Sequence, residues 1–250
     1  MKRLTVFLGL VLSCAIVAIG QQTKSPYSPG ENLKFSLYYG LMDGGEAVIS
    51  LDKTKSGEYH AKATAKTVGM VRWFLDMNDV YESYFDEKTC KPSKSIRNIK
   101  ENSYKSYDEV TFNHTNNTLH SKKYGTVNTP KDIFDIVSSL YLMRRNGFRN
   151  MKVNDTLTTK IYFDNELYTF QVIYKGKEKV STKMGTFNAL KFQPVVEVGR
   201  VFRHEDDVRF WVSDDDNLLP LRAEFEVLIG SIKCDLLSCS GVKYPMAKVK

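Results

Sequence analysis

The chain is poor in the residues on which most protein chemistry is built. Its four histidines are scattered, and no Cys-x-x-Cys pair occurs, so neither a zinc site nor a dithiol redox centre is expected. No G-x-S-x-G, H-E-x-x-H, G-x-x-x-x-G-K-[ST] or G-x-G-x-x-G stretch is present, which removes the usual signatures of nucleophile elbows, zinc proteases, nucleotide phosphates and dinucleotides. No block of five or more Lys/Arg occurs. The formal net charge of +7 includes Lys2 and Arg3, and the rest is dispersed over alternating segments. That is a solvated surface, not a nucleic-acid stripe. Internal repeats, low-complexity tracts and linkers are absent too. The expectation is a non-enzyme with no cofactor, no metal and no nucleic-acid partner.

Long apolar runs are confined to the start. M-K-R is followed by an apolar stretch from Leu4 to Ile19 and then by polar Gln21-Gln22-Thr23-Lys24. This is the order of a secretory signal peptide, with cleavage expected before Gln21. The run falls short of the ~20 residues that a bilayer span wants, so no transmembrane segment is expected after cleavage. Cys14, in V-L-S-C, is the residue a lipoprotein signal would acylate, but the apolar run continues past it and export with cleavage is the preferred reading. The expected location is the periplasm or the envelope. Cleavage would leave Cys90, Cys234 and Cys239, and in an oxidising compartment a disulfide among them is expected, with the pairing open. Cys234 and Cys239 are too far apart to join along one straight strand.

What the chain does have is period-two alternation. Leu33, Phe35, Leu37 and Tyr39 alternate with Asn32, Lys34, Ser36 and Tyr38, then Met42-Asp43-Gly44-Gly45 turns the chain into a second strand around Ala47, Ile49 and Leu51, and Ser56-Gly57 turns it into a third over 58–68. The pattern returns at 79–85, 95–100, 104–112, 155–163, 166–175, 178–184, 187–198, 208–213, 221–229 and 231–237. One segment breaks it. Thr129-Pro130-Lys131-Asp132 reads as a helix start, with Thr129 as N-cap, and Arg144-Arg145-Asn146-Gly147 as its end. This helix over 130–145 is apolar around most of its circumference, with only Asp135, Ser138 and Ser139 as a polar stripe, so it must be covered on several sides. The fold expected is all-β and mainly antiparallel: an incomplete or curved β-barrel of about a dozen strands wrapped around one central α-helix, in a single domain over 21–250.

Three places invite a functional reading. The carboxylates of D-D-V-R-F-W-V-S-D-D-D-N-L-L-P frame a strand, which holds Asp207 and Asp214 about 23 Å apart. They cannot share a metal or act as an acid/base pair, and Asp214-Asp215-Asp216-Asn217 lacks calcium-loop spacing. The second place is V-G-M-V-R-W-F-L-D-M, which concentrates Trp73, Phe74 and Met77 between two strands and suits a lip over a greasy cavity. With Phe134, Tyr141 and Met143 of the helix, these are the candidate ligand-binding residues. The third is Asp155-Thr156-Leu157, a tripeptide of the kind some bacteria O-glycosylate, with Thr156 as acceptor.

Y-S-P-G-E-N-L-K-F-S-L-Y-Y-G with the following G-G-E-A, D-V-Y-E-S-Y-F-D, D-I-F-D-I-V-S-S-L-Y-L-M-R-R, M-G-T-F-N-A-L-K-F-Q-P and F-W-V-S-D-D-D-N-L-L-P-L-R, in that order, resemble a family of exported bacterial proteins known as domain of unknown function 3108 (DUF3108). The resemblance implies export and no assigned reaction. More loosely, the tryptophan-bearing strand, acidic turn and L-P-L-R are similar to the ending of periplasmic lipoprotein-carrier folds, which implies the handling of lipid or acyl chains. The function expected is non-catalytic binding of a hydrophobic ligand, the alternative being an envelope assembly or scaffold protein acting through protein contacts.

Overall fold

The computed structural model describes residues 24–40, 42–149, 151–195, 204, 207–226 and 231–249. The expected signal peptide, Cys14, Glu205 and Asp206 lie outside these residues. The strands are β1 Glu31–Tyr39, β2 Met42–Lys53, β3 Tyr59–Thr67, β4 Asn78–Phe85, β5 Pro92–Glu101, β6 Tyr104–Asn113, β7 Thr118–Ser121, β8 Gly125–Asn128, β9 Ile133–Phe134, β10 Thr156–Phe163, β11 Glu166–Thr182, β12 Gly185–Pro194, β13 Val208–Ser213, β14 Pro220–Glu226 and β15 Ser231–Ser240, and one α-helix, α1 Ile136–Leu142, separates β9 from β10.

All fifteen strands belong to one sheet. Neighbours run from β8 back to β1, step across to β15, and run back down to β9. Every pairing is antiparallel except β9–β10. The sheet must curl, because α1 packs against β3 and β4 in one half and β10 in the other. Bulges help it bend: the register slips between Lys34 and Phe35 opposite β15, between Tyr174 and Gly176, and between Trp211 and Val212, and each extra residue increases local twist. Where the curl brings β4–β8 to β9–β10, side chains replace the backbone ladder. Arg97 donates to Asp164 at 2.8 Å, and Val110, Leu119, Ile133 and Tyr162 pack across the seam. The result is an incomplete antiparallel barrel around one short helix.

Several expectations need correction. The helix does not begin at Pro130. Asp132 adopts a left-handed φ of 59°, which no helical turn accepts, and Ile133–Phe134 leave as a parallel strand. Asp135 is the cap in place of Thr129: its carboxylate accepts from the Val137 and Ser138 amides at 2.8 and 2.9 Å, and the Asp135 amide donates to the Ser138 hydroxyl. Together these bonds serve three amides at the helix start, so the supposed polar stripe is a buried helix start. Beyond Leu142 the chain widens into a π turn over Met143–Gly147, which ends at the Asn-Gly stop. The two strands expected at 166–175 and 178–184 are one strand, β11, kinked at Gly176 where φ is 107°. The β7–β8 hairpin did not register in the alternation, being short and mostly polar.

The cysteines also differ from expectation: Cys90, Cys234 and Cys239 are free thiols. The bulge in β15 turns both Cys234 and Cys239 toward the same cluster, but five positions of strand separate them by about 17 Å. Cys90 lies elsewhere, its sulfur 3.1 Å from the Tyr27 hydroxyl.

Candidate ligand cavity

The alternation of the sheet gives the barrel an apolar lining, and the size of the side chains decides where it is full. Phe35, Phe170, Phe210 and Phe225 are large, whereas Ala47, Ala223 and Ser139 face the same space and leave it unfilled. The outcome is a cavity of about 510 Å³ between α1 and the β1–β2 and β10–β15 wall. It falls within the ~300–1,000 Å³ of ordinary small-molecule sites.

Its few polar groups are already committed. The Ser139 hydroxyl donates to the Ile136 carbonyl at 2.9 Å. Arg222 reaches the edge, but its Nε and one terminal nitrogen each donate to Asp235 at 2.6 Å, and that terminal nitrogen also meets the Ser181 carbonyl. The pairing follows the register: Arg222 lies opposite Asp235, and Ala223 opposite Cys234. Burial pushes the Cys234 thiol up to about 12, so it stays protonated and un-nucleophilic. An occupant would therefore be held by apolar contact alone, and its polar end would have to remain at the mouth.

One end of the barrel, the base, holds the start of β1 and the β13–β14 turn. There Arg144, fully buried, makes a bidentate pair with buried Glu31 at 2.6 and 2.9 Å and donates to the Asn217 carbonyl. Tyr27 and Tyr141 offer their ring faces to the same guanidinium, and the Asn217 side chain is tied in turn to the Tyr244 backbone. The opposite end, the rim, is where the lining reaches Val208 and Phe225. Ile136, at the helix start, lines the cavity and is 46% exposed.

Of the candidate residues read from the sequence, Met143 lines this cavity. Phe134 and Tyr141 are buried on the far side of the helix, in a cluster with Tyr27, Leu51 and Phe85. Trp73 and Phe74 stand outside at the rim, each 84% exposed, and Met77 is half-buried in a bridge to Glu101. The missed residues are Phe35, Phe210, Ala223 and Phe225. Their signal was present in the alternation of β1, β13 and β14, but alternation marks an inner face without saying whether it is packed. Thr156 is exposed at the first position of β10.

The acidic run also finds its place. Asp214 pairs with Lys177 and Asp216 with Arg149. Asp215 accepts from the Ser213 hydroxyl and from the Asn217 and Ala247 amides. Three adjacent carboxylates thus face three different sets of partners, and their work is to shape the β13–β14 turn. Among the described residues no helix is long and apolar enough to cross a membrane.

One solved structure shares this architecture. A β-barrel-like protein of domain of unknown function DUF1849 from Brucella abortus superposes with a TM-score of 0.57 at 8% identity, covering 86% of this chain and 98% of that one. At that identity the likeness is one of fold. A protein proposed to be exported, with a YmcC-like fold, from Bacteroides fragilis matches with a TM-score of 0.36 at 12% identity, and a proposed lipoprotein from Parabacteroides distasonis with 0.36 at 10%; each comparison covers 86% of this chain and 97% of the other. No curated protein matches the chain. The family model described as protein of unknown function (DUF3108) matches residues 34–237, and the chain belongs to that family.

Proposed function

We propose that this protein binds a hydrophobic ligand, an acyl chain or lipid, in the cavity between α1 and the sheet, without catalysing a reaction on it. The observation that carries the reading is the cavity itself: about 510 Å³ of apolar space whose bordering polar groups are bonded to other protein atoms. A site built for group transfer would aim an uncommitted donor, acid or nucleophile at its occupant. The proposed setting is the periplasm or envelope, in keeping with the signal-like start of the sequence.

The test is native mass spectrometry with lipid extraction of protein purified from its own envelope. A bound lipid mass that disappears in Ala223→Phe, a substitution that puts a ring into the cavity, is the expected result. Protein that is empty in both forms would overturn the reading. The scaffold alternative would then be the one to pursue by crosslinking in intact cells.

A further inference from the structure

The segment between β3 and β4 is an odd use of apolar residues. It forms a 3₁₀ turn over Gly69–Trp73 in which no residue is buried. Met70 is 68% exposed, and Trp73 and Phe74 are the most exposed large hydrophobics described. The turn is nonetheless fixed in place. The Val68 amide donates to the Gly44 carbonyl, and the Asn102 amide to the Asp76 carbonyl. A Cβ on Gly44 would stand 3.3 Å from a Val71 methyl, so the glycine lets the turn sit close on β2. A chain that only needed to connect two strands would not anchor its tip while leaving two aromatic rings in water.

Other exposed apolar side chains gather at the same end. Met42 opens β2 opposite Tyr39, and Tyr39 pairs with Ile232. Tyr104 opens β6 beside the Asn102 turn that holds the tip. Met42, Tyr104 and Ile232 are all exposed. The cavity lining reaches this end too, since Phe225 of it pairs with Ile232. Lys100 and Lys105 lie opposite one another on β5–β6 at this end, both exposed. No salt bridge engages either among the described residues. Two like charges across a ladder repel unless an anionic surface takes them up.

We infer that this rim is a membrane-docking surface, with Trp73 and Phe74 inserting among lipid headgroups and acyl ends. The chemistry favours lipid over a protein partner. The tip is a short turn of five residues with none of them buried, unlike the complementary patch a stable protein interface needs. Tryptophan and tyrosine, apolar with a polar tip, are the side chains enriched at the membrane–water boundary, and exposed lysines gain from anionic headgroups. The end of the cavity lined by Val208 and Phe225 would lie nearest the bilayer. Docking itself does not depend on the cavity being filled.

The experiment is flotation of the full mature chain with phosphatidylcholine vesicles and with phosphatidylethanolamine–phosphatidylglycerol vesicles, paired with quenching by brominated lipid. The chain has two tryptophans, and Trp211 is buried, so it serves as an internal control. The wild type should float with vesicles and be quenched through Trp73. Trp73→Phe should float without quenching. Trp73→Ser with Phe74→Ser should lose at least about tenfold in partitioning, from the apolar area no longer buried, at an unchanged melting temperature. Lys100→Glu with Lys105→Glu should weaken binding to the anionic vesicles only. A wild type that stays in solution, rings that are not quenched, or a serine variant that floats equally well would overturn the inference. So would a single protein crosslinked through position 73 in cells without vesicle binding. Bound lipid in a protein that ignores vesicles would sink docking and leave the cavity reading standing; vesicle binding by a protein that is empty on extraction would do the reverse.

Discussion

At the base of the barrel a fully buried arginine is gripped by a carboxylate, a backbone carbonyl and two aromatic rings, whereas at the rim two of the largest apolar side chains in the chain stand in water. Ordinary folding would distribute them the other way, with charge outside and apolar rings inside. The base tolerates its charge because each partner was desolvated together with the other. The rim tolerates its rings because the turn is anchored by hydrogen bonds and by its close fit against Gly44. The contrast separates what holds the barrel together from what it presents. Polar side chains plug one end; exposed apolar ones gather at the other.

The most severe way to break the comparison is at the plug. Removing one member of a buried ion pair leaves the other charge stranded in a low-dielectric site, and that loss is typically about 3–5 kcal/mol. Arg144→Ala and Glu31→Ala should each lower stability by that amount in urea titrations, while Arg144→Met combined with Glu31→Leu should recover most of it. A single substitution within about 1 kcal/mol of the wild type would mean that water enters the base, and that the barrel is not closed there.

Filling the cavity should act in the opposite direction. Ala223→Phe places a ring in space bounded by Phe210, Met143 and Phe225. Burying such a side chain contributes about 1.5–3 kcal/mol relative to leaving it exposed, so the variant should melt at or above the wild-type temperature when both are delipidated. An overpacked interior would instead lose about 1–3 kcal/mol. Differential scanning calorimetry of the two delipidated proteins distinguishes an empty cavity from one already full.

A smaller effect sharpens the boundary between plug and rim. Asp135 caps α1 while wholly buried, and burial pushes its carboxyl above the usual 3.8 despite the hydrogen bonds from Ser83 and Ser138 that oppose the shift. A carboxyl with a raised folded pKa binds its proton more tightly in the native state. Its contribution to stability is therefore complete below the unfolded pKa and is lost as pH rises through the folded value. Asp135→Asn keeps an acceptor for the helix amides but does not titrate. The stability difference, wild type minus Asn, should shrink as pH rises from about 4 toward neutrality; a difference independent of pH would show that Asp135 titrates normally.

Much of this was legible in the sequence, and the gaps have physical causes. Alternation in β1, β4, β6 and β13 announced the sheet, and an over-apolar segment near 133–143 announced that something would wrap it. The helix start was misplaced because Thr129-Pro130 and Asp135-Ile136-Val137-Ser138 are both sound caps in isolation. What decides between them is the left-handed turn at Asp132 and the burial of Asp135 against Ser83, neither of which a single sequence displays. The lining of the cavity is hard to read for a related reason. Rings attract attention, yet the space is made by the alanines and serine opposite them, and Tyr141 and Phe134 pack on the other side of the helix. The plug went unseen because Glu31 and Arg144 are 113 positions apart and each looks like a surface charge.

The mildest prediction concerns the rim, and it carries the comparison furthest. If Trp73 and Phe74 contributed to the fold, replacing both by serine would destabilise it as core truncations do, by about 3–5 kcal/mol each. Their exposure says otherwise: neither ring gives up much water on folding, so little transfer free energy is at stake. Trp73→Ser with Phe74→Ser should therefore change unfolding free energy by no more than about 0.5 kcal/mol, and the m-value should not move, since the surface exposed on unfolding barely changes. Urea titration monitored through buried Trp211 reads this directly. A loss above about 1 kcal/mol would place the rings in the architecture of the barrel; a loss near zero leaves them to whatever meets the rim from outside.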